Sequence, residues 1–244
     1  MVWETPTELG DAGGGESAWT VERMLEAGGS HGVVVFGYGS LVWRPGFPHD
    51  AAVPAVLPGY VRRFWQASPD HRGTPSALGR VATLVPAPVH SAAGGGGLLL
   101  LPGEEASTAG VAFRLSPDGI VDTLTALFFR EKAGYTLLHT DVTVTLPSGG
   151  TASWPAFIFT ADATNPYWCG PPAGGGGAGG GGEAPGVTAA IIARAAGPSG
   201  TNREYFDNLL AALRERGVRD VYMEALAAAV ATASASDVAA PGPG

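Results

Sequence analysis

Segments that read as strands fill the first two-thirds of this chain, and helical spacings take over in the last third. The earliest strand, Val33-Val34-Val35-Phe36, is a short β-branched run that ends in Gly37-Tyr38-Gly39-Ser40, so a buried strand feeds a tight turn. Further strands are expected at 60–66, 80–85, 110–115, 140–146 and 156–160, several of them separated by Pro and Gly turns. One helix interrupts the series. Ser116-Pro117-Asp118 supplies an N-cap, a proline at the first helical position and an acid in the first turn, and the helix it opens runs to about Lys132, before Gly134. From Val187 the period changes: Ala189, Ile191, Ile192 and Ala195 make an apolar face that Gly197-Pro198 terminates. Phe206, Leu209, Leu210 and Leu213 then recur at helical spacing over 202–216, and another helix starts near Asp220. Strands first and helices later indicate an α+β fold.

With 244 residues and 45% hydrophobic content the chain can bury a real core. Nearly half of its 38 glycines sit in a few tracts, such as 94–97 and 171–182, which have no side chains to bury and read as loops inserted into one domain. The expected layout is a flexible N-terminal extension at 1–30, a single domain at 31–235 with a glycine-rich insertion at 171–185, and a flexible tail at 236–244. A net charge of −8 without a basic stripe argues against a nucleic-acid partner. No stretch is apolar for the roughly 18 residues a membrane span needs, and no signal peptide or lipid-anchor pattern is expected. The single cysteine, Cys169, rules out an internal disulfide and suits a reducing, cytoplasmic compartment. Oligomeric state is not specified by the pattern.

The Gly37-x-Gly39 turn lacks the third glycine and following helix of a dinucleotide-binding loop, because Leu41-Val42-Trp43-Arg44-Pro45 comes next. Ser40 lacks the flanking glycines of a hydrolase elbow. His31, His49, His71, His90 and His139 are scattered, with no helical pair and no cysteine cluster, so no metal site is expected. Glycines at a strand end do expose backbone N–H groups that suit a carboxylate or a developing oxyanion. Read locally, the segment Gly37, Tyr38, Gly39, Ser40, Leu41, Val42 is either such a cradle or an ordinary tight turn under a packed tyrosine. Glu131 is the second unusual residue. It follows an apolar stretch at a helix C-terminus, and both surroundings disfavour the charged form, which suits an acid that takes up and returns protons. The alternative is a solvated last turn in which Glu131 pairs with Arg130 or Lys132.

The blocks Val35-Phe36-Gly37-Tyr38-Gly39-Ser40-Leu41-Val42-Trp43, Arg62-Arg63-Phe64-Trp65-Gln66, Asp70-His71-Arg72-Gly73, Gly79-Arg80-Val81 and Arg130-Glu131-Lys132-Ala133-Gly134-Tyr135 occur in series. Asn165-Pro166-Tyr167 and Ala196-Gly197-Pro198-Ser199-Gly200-Thr201-Asn202-Arg203-Glu204-Tyr205 continue them. Together, over 33–226, they resemble the ChaC family of glutathione-specific γ-glutamylcyclotransferases. The resemblance implies an α+β γ-glutamylcyclotransferase-like fold, a small mixed β-barrel or sheet flanked by helices. It implies cleavage of glutathione to 5-oxoproline and cysteinylglycine without metal or cofactor. It also assigns the turn from Gly37 to Val42 to the γ-glutamyl group and Glu131 to acid/base catalysis.

Arg72 is a candidate for gripping the glycine carboxylate, against a structural loop arginine. Tyr205, with Asn202 on the same helix, is a candidate pocket residue, against a buried tyrosine capping the core. Tyr135 is similar, and Cys169 reads as packing. Residues 94–109 and 171–182 look longer than the family pattern. Two competing functions stand beside the main one: a cyclotransferase for other γ-glutamyl amines, and a non-catalytic interaction protein on the same fold.

Overall fold

A computed structural model describes residues 8–9, 18–29, 32–87, 100–130, 135–171 and 182–238. In chain order they form β1 (Glu8–Leu9), β2 (Trp19–Thr20), α1 (Val21–Gly28), β3 (Val34–Gly37), a 3-10 turn (Ser40–Val42), β4 (His49–Pro58), β5 (Tyr60–Ser68) and β6 (Gly79–Pro86). Then come β7 (Ser107–Leu115), α2 (Ile120–Arg130), β8 (Thr136–Thr145), β9 (Thr151–Thr160), α3 (Pro185–Arg194), β10 (Ala196–Gly197), β11 (Gly200–Thr201), α4 (Asn202–Glu215) and α5 (Val221–Val238). The chain divides into two compact units, each drawn from two segments: Met1–Tyr60 with Ser107–Pro166, and Val61–Ala106 with Tyr167–Gly244. The α+β reading holds, and the first unit contains a barrel.

In the first unit β3, β7, β4, β8 and β9 close into a five-stranded barrel. Closure depends on one parallel pairing, Val35 opposite Phe157, between strands that are otherwise joined through antiparallel neighbours. β3 is buried throughout, β7 along most of its length and β9 over its second half, 156–160, as their apolar runs require. β4 is different. Val53, Ala55 and Leu57 face inward while Pro54, Val56 and Pro58 face out, so it pairs with β7 from end to end despite its prolines. The alanines and prolines of His49–Pro58 mask its period-2 pattern in the sequence.

Helix α2 has only 11 residues, too few to be stable alone, and is held by the face Thr123, Leu124, Leu127 and Phe128. Phe128 meets the β9 residue Phe159 edge to face. Burying each such side chain contributes about 1.5–3 kcal/mol, more than propensity can supply over one turn. The stretch expected as an N-terminal extension contains α1, which Thr20 caps by accepting from Arg23 N–H and which buries Met24 completely.

The second unit joins a two-stranded sheet, β5 and β6, to α3, α4 and α5. Helices from the C-terminal third therefore complete a sheet that is too small to stand by itself. Asp220 opens α5 by accepting from Met223 N–H, and it also pairs with the buried Arg62.

Candidate functional site

β3 delivers Gly37 into a turn that folds directly back on the strand. A Cβ at Gly37 would lie 2.7 Å from Leu41 Cβ and 3.2 Å from the Phe113 ring, so only glycine lets the 3-10 turn pack so closely. Tyr38 is buried, and its hydroxyl donates to Phe159 O at 2.9 Å, which fastens the turn to β9. The turn's own carbonyls then take some of its amides: Val42 N–H donates to Gly39 O, and Trp43 and Arg44 N–H donate to Ser40 O.

The amides ahead of them are left over. Among the described residues, the N–H groups of Gly39, Ser40 and Leu41 have no acceptor, as expected for the first residues of a helical turn. Gly39 and Ser40 are half-buried and Leu41 is buried. Of the two local readings, ordinary turn or cradle, the geometry has the property a cradle needs. Arg130, the last residue of α2, reaches the same turn: Nη2 donates to Ser40 Oγ at 2.6 Å and Nη1 to Pro45 O at 3.1 Å. Sequence reasoning treated Arg130 only as a partner for its neighbour. The signal for its actual contact was its position one residue before Glu131 in a block that resembles a catalytic motif.

Glu131, together with Lys132, Ala133 and Gly134, lies outside the described residues, as do His31, His90 and the tract 94–97. Tyr135 is described and half-buried.

Arg72 and Tyr205 belong to the second unit and come together there, the guanidinium carbon 5.6 Å from the tyrosine ring centre. Arg72 Nη1 donates to Thr201 O at 3.1 Å and stands 3.6 Å from Glu204 Oε2. The Tyr205 hydroxyl accepts from Ala82 N–H on β6 at 3.3 Å. Asn202, fully buried, brackets Arg80: its Oδ1 accepts from Arg80 N–H at 2.6 Å and its Nδ2 donates to Arg80 O at 2.7 Å. Cβ atoms at Gly73, Gly79 and Gly197 would each overlap backbone of the other segments, so three of the blocks picked out in the sequence converge on one backbone crossing.

Near that crossing Arg80 forms a fork-to-fork pair with Glu183, at 2.8 and 2.6 Å. Burial is the largest single effect and works against the Arg80 charge, but the Glu183 hydrogen bonds together with the charge interactions of Cys169 and Glu183 outweigh it and hold its pKa above the usual value. Burial pushes the Cys169 thiol up, and Arg80 offsets only part of this, so Cys169 is a protonated thiol and a poor nucleophile. Among the described residues no cluster of three or more His, Cys, Asp or Glu side chains is placed to hold a metal ion, and no helix is long and apolar enough to cross a membrane.

A five-stranded barrel whose first strand ends in an amide-lined glycine turn is the frame of a γ-glutamylcyclotransferase-like protein. The chain matches the model of ChaC-like proteins over residues 33–233, and it belongs to that family. It is 31% identical to the glutathione-specific γ-glutamylcyclotransferase of Saccharomyces cerevisiae over 80% of this chain and 94% of that one. It is 35% identical to γ-glutamylcyclotransferase 2-3 of Arabidopsis thaliana, covering 79% and 85%. The solved structure of the yeast glutathione-specific enzyme superposes with a TM-score of 0.67 at 28% identity, covering 82% of this chain and 96% of that one.

Proposed function

We propose that this protein is a glutathione-specific γ-glutamylcyclotransferase, a lyase of glutathione catabolism that works in the cytoplasm. The observation that carries the mechanism is the row of amides at Gly39, Ser40 and Leu41 that have no acceptor among the described residues, supported by similarity to glutathione-specific enzymes along most of the chain.

In the reaction, the α-amine nitrogen of the substrate attacks its own γ-carbonyl carbon. The nucleophile is already tethered, so effective molarity supplies much of the acceleration and no protein nucleophile is needed. The carbonyl oxygen becomes an oxyanion, which the turn amides stabilise. The bond from the γ-carbon to the cysteinyl nitrogen then breaks, giving 5-oxoproline and cysteinylglycine. The α-amine, with a pKa of about 8, starts mostly protonated, and the departing nitrogen needs a proton. Glu131 takes the first proton and delivers it to the departing nitrogen; the second, lost by the attacking nitrogen as it becomes the lactam N–H, ends on the released amine as its ammonium, so protons balance and water is not consumed. Arg72 and Tyr205 are assigned to substrate binding, Arg72 by a guanidinium that can hold the glycyl carboxylate through two hydrogen bonds.

The test is turnover of glutathione by the purified chain, followed as release of cysteinylglycine and 5-oxoproline, beside a panel of γ-glutamyl dipeptides. Glu131→Gln keeps the shape and removes the base, and is expected to lower kcat by about a hundredfold or more. A folded Glu131→Gln variant with near wild-type turnover would overturn the acid/base assignment. Silence of the wild type towards every γ-glutamyl compound would favour a non-catalytic binder.

A further inference from the structure

The carboxylate next to Arg130 was singled out by the sequence, yet the Arg130 guanidinium is the group seen on the turn. Its Nη2 donates to Ser40 Oγ at 2.6 Å, while Nη1 donates to Pro45 O at 3.1 Å and Arg44 O at 3.4 Å. The loop curls around it at Gly46, whose φ of +73° is open to glycine, and a Cβ there would come within 3.9 Å of Nη1. A planar fork can serve these acceptors together, which a lysine cannot.

A serine hydroxyl has one proton to give and two lone pairs to receive. Arg130 occupies one lone pair with a short, charge-assisted bond, so the Ser40 proton must point to another acceptor. None exists among the described residues, and Ser40 is half-buried in the same turn as the amides of Gly39, Ser40 and Leu41, which likewise have no acceptor among the described residues. Hydrogen bonds in a chain polarise one another, so the guanidinium makes the hydroxyl a stronger donor.

We propose that Arg130 is a positioning residue that aims and polarises the Ser40 hydroxyl, so that Ser40 joins the turn amides as a donor to the oxyanion of the γ-carbonyl. This rests on the cyclotransferase reading above. Positive charge is thereby placed one hydroxyl away from the developing negative charge. Because the oxyanion exists only on the way to the tetrahedral intermediate, the benefit belongs to kcat and not to KM.

A double-mutant cycle on glutathione turnover tests it. Ser40→Ala is expected to lower kcat about tenfold to a hundredfold with KM changed less than about threefold. Arg130→Met is expected to give a similar loss, and the double variant to be no worse than Ser40→Ala alone, since Arg130 acts through that hydroxyl. Arg130→Lys keeps a charged donor for Ser40 but cannot hold both loop carbonyls; partial recovery of kcat supports polarisation. A lysine variant no better than methionine, additive losses in the cycle, or an effect confined to KM overturns the proposal while leaving the cyclotransferase reading intact. An inactive wild type overturns both.

Discussion

The clearest divergence between what a residue looks like in sequence and what it does in space is at Asn202. Its neighbourhood resembles a catalytic block, and Asn202 and Tyr205 together suggested a pocket. The structure shows Asn202 completing the edge of β6 as another strand would, with one donor and one acceptor on Arg80. No pattern in a sequence announces such a partner 122 residues away. Asn202→Ala would leave a buried N–H and a buried carbonyl unpaired, and should destabilise the protein by about 1–3 kcal/mol in urea unfolding. Asn202→Asp keeps the acceptor for Arg80 N–H but sets a carboxylate oxygen against Arg80 O, so it should be no milder; a loss below about 0.5 kcal/mol in either variant would show that water replaces the side chain. Gly37 is the opposite case. Its place at a strand end was legible, and the steric reason, Leu41 folding back on it, only became visible with the fold.

At the scale of elements, the barrel strands with continuous apolar runs and the helices with three- and four-residue spacing were readable because burial imposes those periods. β4 was not, because its inward residues Val53, Ala55 and Leu57 are diluted by proline and alanine. Sheet β5–β6 was readable as strands but not as a separate pair, because its missing neighbours are side chains and a short irregular segment. Phe64 N–H donates to the Tyr222 hydroxyl of α5 at 3.0 Å, Ala82 N–H to the Tyr205 hydroxyl of α4, and Ala67 N–H to Tyr167 O. Tyr222 is the element-scale device with a measurable titration. Its burial raises its pKa to about 12, against the smaller opposing effects of the Phe64 hydrogen bond and Arg63. An acid whose pKa is raised on folding binds more protons folded than unfolded, so stability is intact below pH 10 and falls as pH rises towards 12. Between about pH 9 and about pH 11.5 the unfolding free energy should drop by about 2 kcal/mol from this group. Tyr222→Phe should start about 1 kcal/mol less stable and show a correspondingly shallower alkaline slope; an unchanged slope would mean that the phenol is not protected from solvent.

Over the whole molecule, the two units are interleaved in sequence, so the long glycine tract interrupts the second unit and not the join between them. Its stems show why an insertion of this size is tolerated. Glu183 N–H donates to Cys169 O at 3.0 Å, Trp168 Nε1 donates to Pro171 O at 2.8 Å, and both Gly170 and Gly182 lie so close to the Trp65 ring that a Cβ would collide with it. Arg80 then pins the returning stem through Glu183, which also accepts from the Thr188 hydroxyl at the start of α3. If the stems hold the structure, the length of residues 172–181 matters only through closure entropy, about 0.6 kcal/mol for each doubling. Halving that tract with a glycine-serine replacement should therefore change the urea-unfolding free energy by no more than about 0.6 kcal/mol. Arg80→Met strands the Glu183 carboxylate and should cost about 3 kcal/mol, several times as much. The reverse order, with the shortened tract more damaging than the lost ion pair, would mean that the glycines themselves make contacts on which the fold depends.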